Sequence, residues 1–167
     1  MIISLYDYYG DSVNEIINKP IYWSRIIGSG VDYNYLHYLL RHNNKIILNI
    51  KKKNIHGILI YGRINNKPYR EKLLGIWEVK LLIKTKISSL PNIGKELMYW
   101  LEEQKDVKRI MLIDRCIIPN YYYNLGYRQI KNIRLFKKIL NINITPEVYY
   151  KCVKYKKKKN KYNNNVS

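Results

Sequence analysis

The chain has 167 residues and a formal net charge of +19, from 31 Lys and Arg against 12 Asp and Glu. That length favours one domain, and 47% hydrophobic residues are enough for a buried core, which excludes an intrinsically disordered chain. No apolar run reaches the ~20 residues of a membrane-spanning helix, and Cys116 and Cys152, the only cysteines, make neither a disulfide scaffold nor, with His37, His42 and His56 far off in sequence, a zinc site.

Ile, Lys, Asn and Tyr dominate and alanine does not occur, the usage expected of an AT-rich genome. The charge has two readings: an anionic partner (nucleic acid, an acidic protein or a phosphorylated cofactor), or lysine enrichment by codon usage on a solvated surface. Lysine far outnumbers arginine, which argues against base-specific DNA readout through bidentate Arg–guanine contacts. Met1–Tyr9 lacks a basic n-region and carries Asp7, so it does not read as a secretory signal. The expected setting is intracellular and cytoplasmic, with reduced thiols.

In chain order, Ile2–Tyr9 reads as a strand, with Asp11 or Ser12 capping a short helix through Asn18. Pro20 interrupts. Asp32 caps a second helix, Tyr33–His42, whose buried stripe is Tyr35, Leu36, Leu39 and Leu40. Lys45–Lys52, Ile55–Ile64 and Leu73–Lys86 read as three antiparallel strands, joined at Lys53-Asn54 and Asn65-Asn66-Lys67-Pro68. Ile93–Gln104 has helical spacing of Ile93, Leu97, Trp100 and Leu101. Val107–Ile113 is apolar enough for a strand buried on both faces and is expected to return beside the preceding strand. A short helix near Pro119–Asn124, strands at Tyr127–Ile130 and Arg134–Leu140, and a basic Asn/Lys-rich tail at 154–167 complete the pattern. The tail reads as disordered. Its Lys156–Lys161 run reads as a nuclear-import signal or a weak nucleic-acid-binding arm, or as a solvated tail.

Two segments carry chemistry. Ser88–Gly94 links a strand to a helix, so backbone N–H groups at the helix start lack intrahelical partners and the helix dipole favours an anion there. Lys84, Lys86 and Lys95 lie close by in sequence. The second segment is Tyr121-Tyr122-Tyr123-Asn124-Leu125-Gly126-Tyr127.

At this second segment the chain resembles the GCN5-related N-acetyltransferase (GNAT) superfamily, whose members often carry a phrase like Phe-Tyr-Glu-Lys-Leu-Gly-Phe. Ser89-Leu90-Pro91-Asn92-Ile93-Gly94 falls in the frame of the family's Gln/Arg-x-x-Gly-x-Gly/Ala pyrophosphate loop. Ser89 departs from Gln/Arg and Asn92 from Gly. Asn is the residue best able to adopt the positive φ that a glycine would. The resemblance covers about residues 45–140. It implies an α/β, mixed and mostly antiparallel central sheet with helices on both faces, spanning residues 1–153 as one acetyltransferase domain.

The resemblance implies acetyl-CoA as cofactor and a primary amine of a protein or small molecule as acceptor, without a metal. It implies cofactor contacts from Leu82, Ile83 and Lys84 on the strand, from Ser89, Leu90, Pro91, Asn92, Ile93, Gly94 and Lys95 at the loop and helix start, and from Arg115, which stands where many members have asparagine. Tyr122 falls at the position of the tyrosine that protonates the departing thiolate. Glu78 falls at the spacing from Gly94 of the glutamate that acts as general base. The other readings are a structural tyrosine, a salt-bridged glutamate, and a catalytically inactive basic module that binds nucleic acid or a protein partner.

Overall fold

The computed structural model describes residues 1–27, 32–64, 76–114, 118, 120–131, 134 and 147–152. The chain opens with β1 (Ile2–Ser4), α1 (Leu5–Tyr9), a 3-10 turn (Gly10–Ser12), α2 (Val13–Ile17), α3 (Pro20–Ile27) and α4 (Tyr33–Arg41). Then come β2 (Lys45–Lys51), β3 (Asn54–Arg63), β4 (Ile76–Lys84), α5 (Ile93–Glu102), β5 (Arg109–Asp114), α6 (Tyr121–Asn124), β6 (Arg128–Gln129) and β7 (Glu147–Cys152). The strands form a sheet in the order β1-β2-β3-β4-β5-β7-β6. The β4–β5 pair is parallel, and the other pairs are antiparallel.

Several sequence expectations change at the ends of elements. The strand expected over Ile2–Tyr9 stops at Ser4, because Ser4 caps a helix: its Oγ accepts from the Asp7 N–H at 3.0 Å and donates to the Asp7 carboxylate. Pro20 does not break the chain but opens α3, at the helix position where a missing N–H costs nothing. Asp32 caps α4 by accepting from Asn34 N at 2.9 Å and Tyr35 N at 3.3 Å. The β2–β3 turn is Lys52-Lys53, one residue earlier than expected, and both lysines have positive φ (49° and 63°). The strand β7, which sequence alone did not single out, pairs with both β5 and β6. The turn expected at Asn65–Pro68, the segment 135–140 and the tail at 154–167 lie outside the described residues.

The sheet separates two apolar layers by simple alternation. On one face Ile46, Leu48, Ile58 and Ile60 meet Leu5, Val13, Ile17, Trp23, Leu36, Leu39 and Leu40 of α1–α4. On the other face Ile47, Leu59, Tyr61, Trp77 and Val79 meet Ile93, Leu97, Met98 and Leu101 of α5. Each fully buried Leu or Ile contributes roughly 1.5–3 kcal/mol, so both helical layers are held chiefly by this burial. Polar groups are absorbed locally. The Trp23 indole donates to Ile16 O at 2.9 Å, and the Tyr9 and Tyr22 hydroxyls bond to each other.

The position of α5 is set by close approach. A Cβ on Gly57 of β3 would run into Ile93 Cγ2 and touch Leu97 Cδ1 at 3.0 Å. One turn into the helix, Glu96 accepts from Asn49 Nδ2 at 2.8 Å and from Lys51 Nζ at 2.9 Å. Gly57→Ala is therefore expected to destabilise the fold by about 1–3 kcal/mol, through overpacking at the helix–sheet contact; the midpoint of urea unfolding measures it. At the hairpin, two left-handed lysines stand where Asn-Gly suits a type I′ turn. Lys52→Asn with Lys53→Gly is expected to raise that midpoint by about 1 kcal/mol equivalent.

Candidate active site

The site begins with one extra residue in β4. Opposite β3, Tyr61 pairs with Val79 and Ile60 with Leu81, so Lys80 is bulged out of the ladder. Bulges bend a strand and increase its local twist. The parallel ladder with β5 runs Ile76↔Arg109, Trp77↔Ile110, Glu78↔Met111, Val79↔Leu112 and ends there. Beyond it, among the described residues, Lys80–Lys84 keeps only β3 as strand partner, while Ile113 and Asp114 of β5 pair with β7. The two central strands thus fork just past Val79, and one backbone edge of β4 is left open. Leu82 and Ile83 are half-buried along this arm and Lys84 is exposed.

The loop after β4 is tied to the sheet. Thr85 N donates to His56 O at 3.0 Å and Thr85 Oγ1 to Ile55 O at 2.7 Å. His56 is itself a bulged residue, between the pairs Asn49↔Gly57 and Ile50↔Ile55. Its Nε2 lies 3.2 Å from Lys51 O and its Nδ1 3.1 Å from Ser88 Oγ. A carbonyl only accepts, so Nε2 carries the proton and Nδ1 accepts from Ser88. Ser88 is buried, whereas Ser89, Pro91, Asn92 and Lys95 are exposed and Leu90 and Gly94 half-buried.

Asn92 adopts the left-handed conformation (φ 62°, ψ 9°) at the start of α5 and gives no side-chain cap. The first-turn N–H groups of Ile93, Gly94 and Lys95 therefore have no intrahelical acceptor. Ile93 is the exception among the loop candidates, since its side chain is fully buried against Gly57, so only its backbone is free to serve a ligand.

Gly94 marks the closest approach in the site. A Cβ there would lie 2.5 Å from the Tyr121 hydroxyl and 3.5 Å from Leu82 Cδ2. Leu82 of β4, Gly94 of α5 and Tyr121 of α6 thus converge. Among the described residues, the Tyr121 hydroxyl is buried with no hydrogen-bond partner, and burial pushes its pKa up to about 12, so it stays protonated at neutral pH. The family phrase selected Tyr122. That residue is half-buried, edge-to-face with Tyr121 (5.0 Å) and Tyr127 (5.8 Å). Tyr127 is fully buried and donates to Glu102 Oε1 at 3.2 Å, and Gly126 (φ 90°) lets the chain turn into it. The family phrase separates Tyr121 from Tyr122 by frame alone, and it carries no signal for which of the two hydroxyls is buried beside Gly94, because that depends on the helix face each tyrosine occupies.

Glu78 lies across the sheet from this group. Its cross-strand partner is Gly62, which shares the α1–α4 face with Ile58 and Ile60 by alternation. The Glu78 carboxylate accepts from Lys80 Nζ at 2.8 Å, and the two side chains are 17% and 22% exposed. Lys80 also runs over Gly62, where a Cβ would stand 3.3 Å from Lys80 Cε. The Tyr35 hydroxyl of α4 donates to Lys80 O at 3.4 Å. Sequence reasoning did not identify Tyr35, Lys80 or Tyr121 as site residues. Arg115 and Cys116 lie outside the described residues.

The arrangement fits a long phosphorylated thioester. An open strand edge can pair with amide groups, a helix start without side-chain cap can hold phosphates beside Lys84, Lys86 and Lys95, and an unpartnered phenol waits beside Gly94. Among the described residues, no group of three or more His, Cys, Asp or Glu could hold a metal ion, and no helix is long and apolar enough to cross a membrane.

The forked sheet with its helix layers is the GNAT fold, as comparison with solved structures shows. A GNAT-family acetyltransferase from Staphylococcus aureus Mu50 is 21% identical, with 92% of this chain and 99% of that chain covered at a TM-score of 0.57. The catalytic domain of Tetrahymena GCN5 histone acetyltransferase, in complex with coenzyme A, is 14% identical, with 92% of each chain covered and a TM-score of 0.57. The GphF GNAT-like decarboxylase in complex with isobutyryl-CoA is 9% identical, with 92% and 100% covered and a TM-score of 0.55. No protein-family model and no curated protein matches the sequence.

The anchor of the site's helix is pH-sensitive. Hydrogen bonds from Lys51 and then Asn49 hold the Glu96 carboxyl below its ordinary value of 4.5. A depressed folded-state pKa stabilises the fold fully above the unfolded value and is lost as pH falls through the folded one. Unfolding midpoints of the native chain should therefore drop as pH falls below 4.5, and Glu96→Gln should flatten that drop while lowering stability at neutral pH.

Proposed function

We propose that the protein is an N-acetyltransferase that moves an acetyl group from acetyl-CoA to a primary amine. What carries the reading is the fork between β4 and β5, with Leu82, Gly94 and the unpartnered Tyr121 hydroxyl converging on its open arm. Acetyl-CoA, as substrate, supplies an activated acyl thioester. In this reading the backbone N–H groups around residues 90–95 bind its phosphates, aided by Lys84, Lys86 and Lys95. The free edge of residues 81–84 orients its amide arm and polarises the acyl carbonyl. Ser89 contributes at most a hydroxyl where the family pattern has a longer donor.

Glu78 takes the proton from the acceptor's ammonium, which otherwise has no lone pair to attack with. A positioned base contributes about 10²–10⁴-fold. Because Glu78 is paired with Lys80, the acceptor has to reach it from the α1–α4 side and compete with that lysine. The proton for the leaving sulfur comes from a tyrosine of α6. The family phrase favours Tyr122, but the buried, unpartnered hydroxyl beside Gly94 favours Tyr121.

The test is calorimetry with coenzyme A followed by kinetics on a panel of primary amines. Binding with turnover supports the reading. Tyr121→Phe is expected to lower kcat at least ten-fold with little change in cofactor affinity, and Tyr122→Phe to lower it less; the reverse order would return the role to Tyr122. No binding at millimolar coenzyme A would sink the enzyme. Nucleic-acid retention falling steeply with salt would then favour a basic binding module on the same fold.

A further inference from the structure

The half-buried ion pair at the fork places a primary amine of the chain itself on the candidate base. Lys80 is the bulged residue and the first one past the last β4–β5 pair, so its side chain is rooted at the apex of the fork. It folds back over Gly62 on the α1–α4 face and sets Nζ 2.8 Å from Glu78 Oε2. Its backbone carbonyl is held by the Tyr35 hydroxyl at 3.4 Å. The lysines of the hairpin tip, Lys52 and Lys53, are by contrast exposed, and neither is paired with an acid among the ion pairs of the described residues.

From this geometry we propose that Lys80 is a self-acetylation site. The inference rests on the acetyl-CoA reading above. Glu78 accepts a proton from the Lys80 ammonium, and the freed lone pair forms the C–N bond to the acyl carbon as the C–S bond breaks. The thiolate takes up a proton from a tyrosine of α6 or from water, and the second proton lost by the Lys80 nitrogen as the amide forms restores that donor. The products are Nε-acetyl-Lys80, coenzyme A thiol and one proton released to solvent through Glu78, with no oxidant or reductant required. Both reacting groups belong to one strand, so the entropy of bringing amine and base together is already spent in folding. The modification removes the cation and leaves the Glu78 carboxylate free for an external ammonium. Lys80 would thus act as a one-time acceptor whose acetylation opens the base to substrate.

The full-length chain is incubated with acetyl-CoA and followed by peptide mapping, with coenzyme A calorimetry in parallel. The expected result is one acetyl group per chain on Lys80, formed at least ten-fold faster than on Lys52 or Lys53. Glu78→Gln should slow it at least ten-fold, and Lys80→Arg, which keeps the ion pair, should abolish it. Thermal unfolding gives a readout independent of turnover: the modified wild type should melt with Lys80→Gln rather than with the untreated chain. If coenzyme A binds and Lys80 stays unmodified, or reacts no faster than the hairpin lysines, the self-acetylation proposal is overturned while the acetyltransferase reading stands. If coenzyme A does not bind, both fall together.

Discussion

A single inserted residue in β4 governs much of what lies around it. With Lys80 bulged, the strand keeps its ladder to β3 on both sides of the insertion but its ladder to β5 ends just before it, after Val79↔Leu112. In a regular sheet the backbone groups of Lys80–Lys84 would be used up between two neighbours. Here, among the described residues, one edge stays open, and an open edge inside a fold is costly unless something pairs with it. The Tyr35 hydroxyl meets one of the bulge's own carbonyls, which links α4 on one face to the geometry of the fork.

The same bulge divides chemistry between the two faces of the sheet. Val79 and Leu82 look toward α5, while Leu81 and Ile83 pack against the α1–α4 layer. Glu78 and Lys80 share that second face, with Glu78 opposite Gly62 and Lys80 lying over it. On the α5 face the close approach at Gly57 and the bonds from Asn49 and Lys51 to Glu96 bring the helix start to the fork. Basic residues gather at this end because β2–β3 and β4 terminate together: Gly57 pairs with Lys84, and the Lys52-Lys53 turn lies beyond. A net charge of +19 thus has a local concentration beside the candidate phosphate loop.

Much of the fold was legible in the residues. Asp32 announced α4, the apolar runs through Ile46–Ile50 and Ile58–Tyr61 with turn residues between them announced the meander, and Ile93, Leu97 and Leu101 announced α5, because each is a local signal with a local cause. The N-terminal strand was overread because Ser4 and Asp7 cap a helix inside an apolar stretch whose strand propensity is equally good. The final strand, Glu147–Cys152, was missed because it is fixed by long-range pairing with β5 and β6 rather than by a strong pattern of its own. At the site, Glu78, Leu82, Gly94 and the tyrosine cluster were identified by position, whereas Lys80 and Tyr35 carried no motif. Their importance arises from register and from packing across the sheet.

The sequence by itself determined most of the local elements, through periodicity, caps and turn residues that act over a few positions. The class of fold, the glycine-like place of Asn92 in the loop and the short list of residues with chemistry to offer came from the tyrosine phrase and the loop frame that resemble the GNAT family. Only the tertiary structure decided where β4 leaves β5, which tyrosine hydroxyl is buried beside Gly94, and that the carboxylate of Glu78 is held by a lysine two residues away. A one-residue bulge reverses the facing of side chains beyond it, and whether that bulge forms depends on what the neighbouring strands and α4 allow.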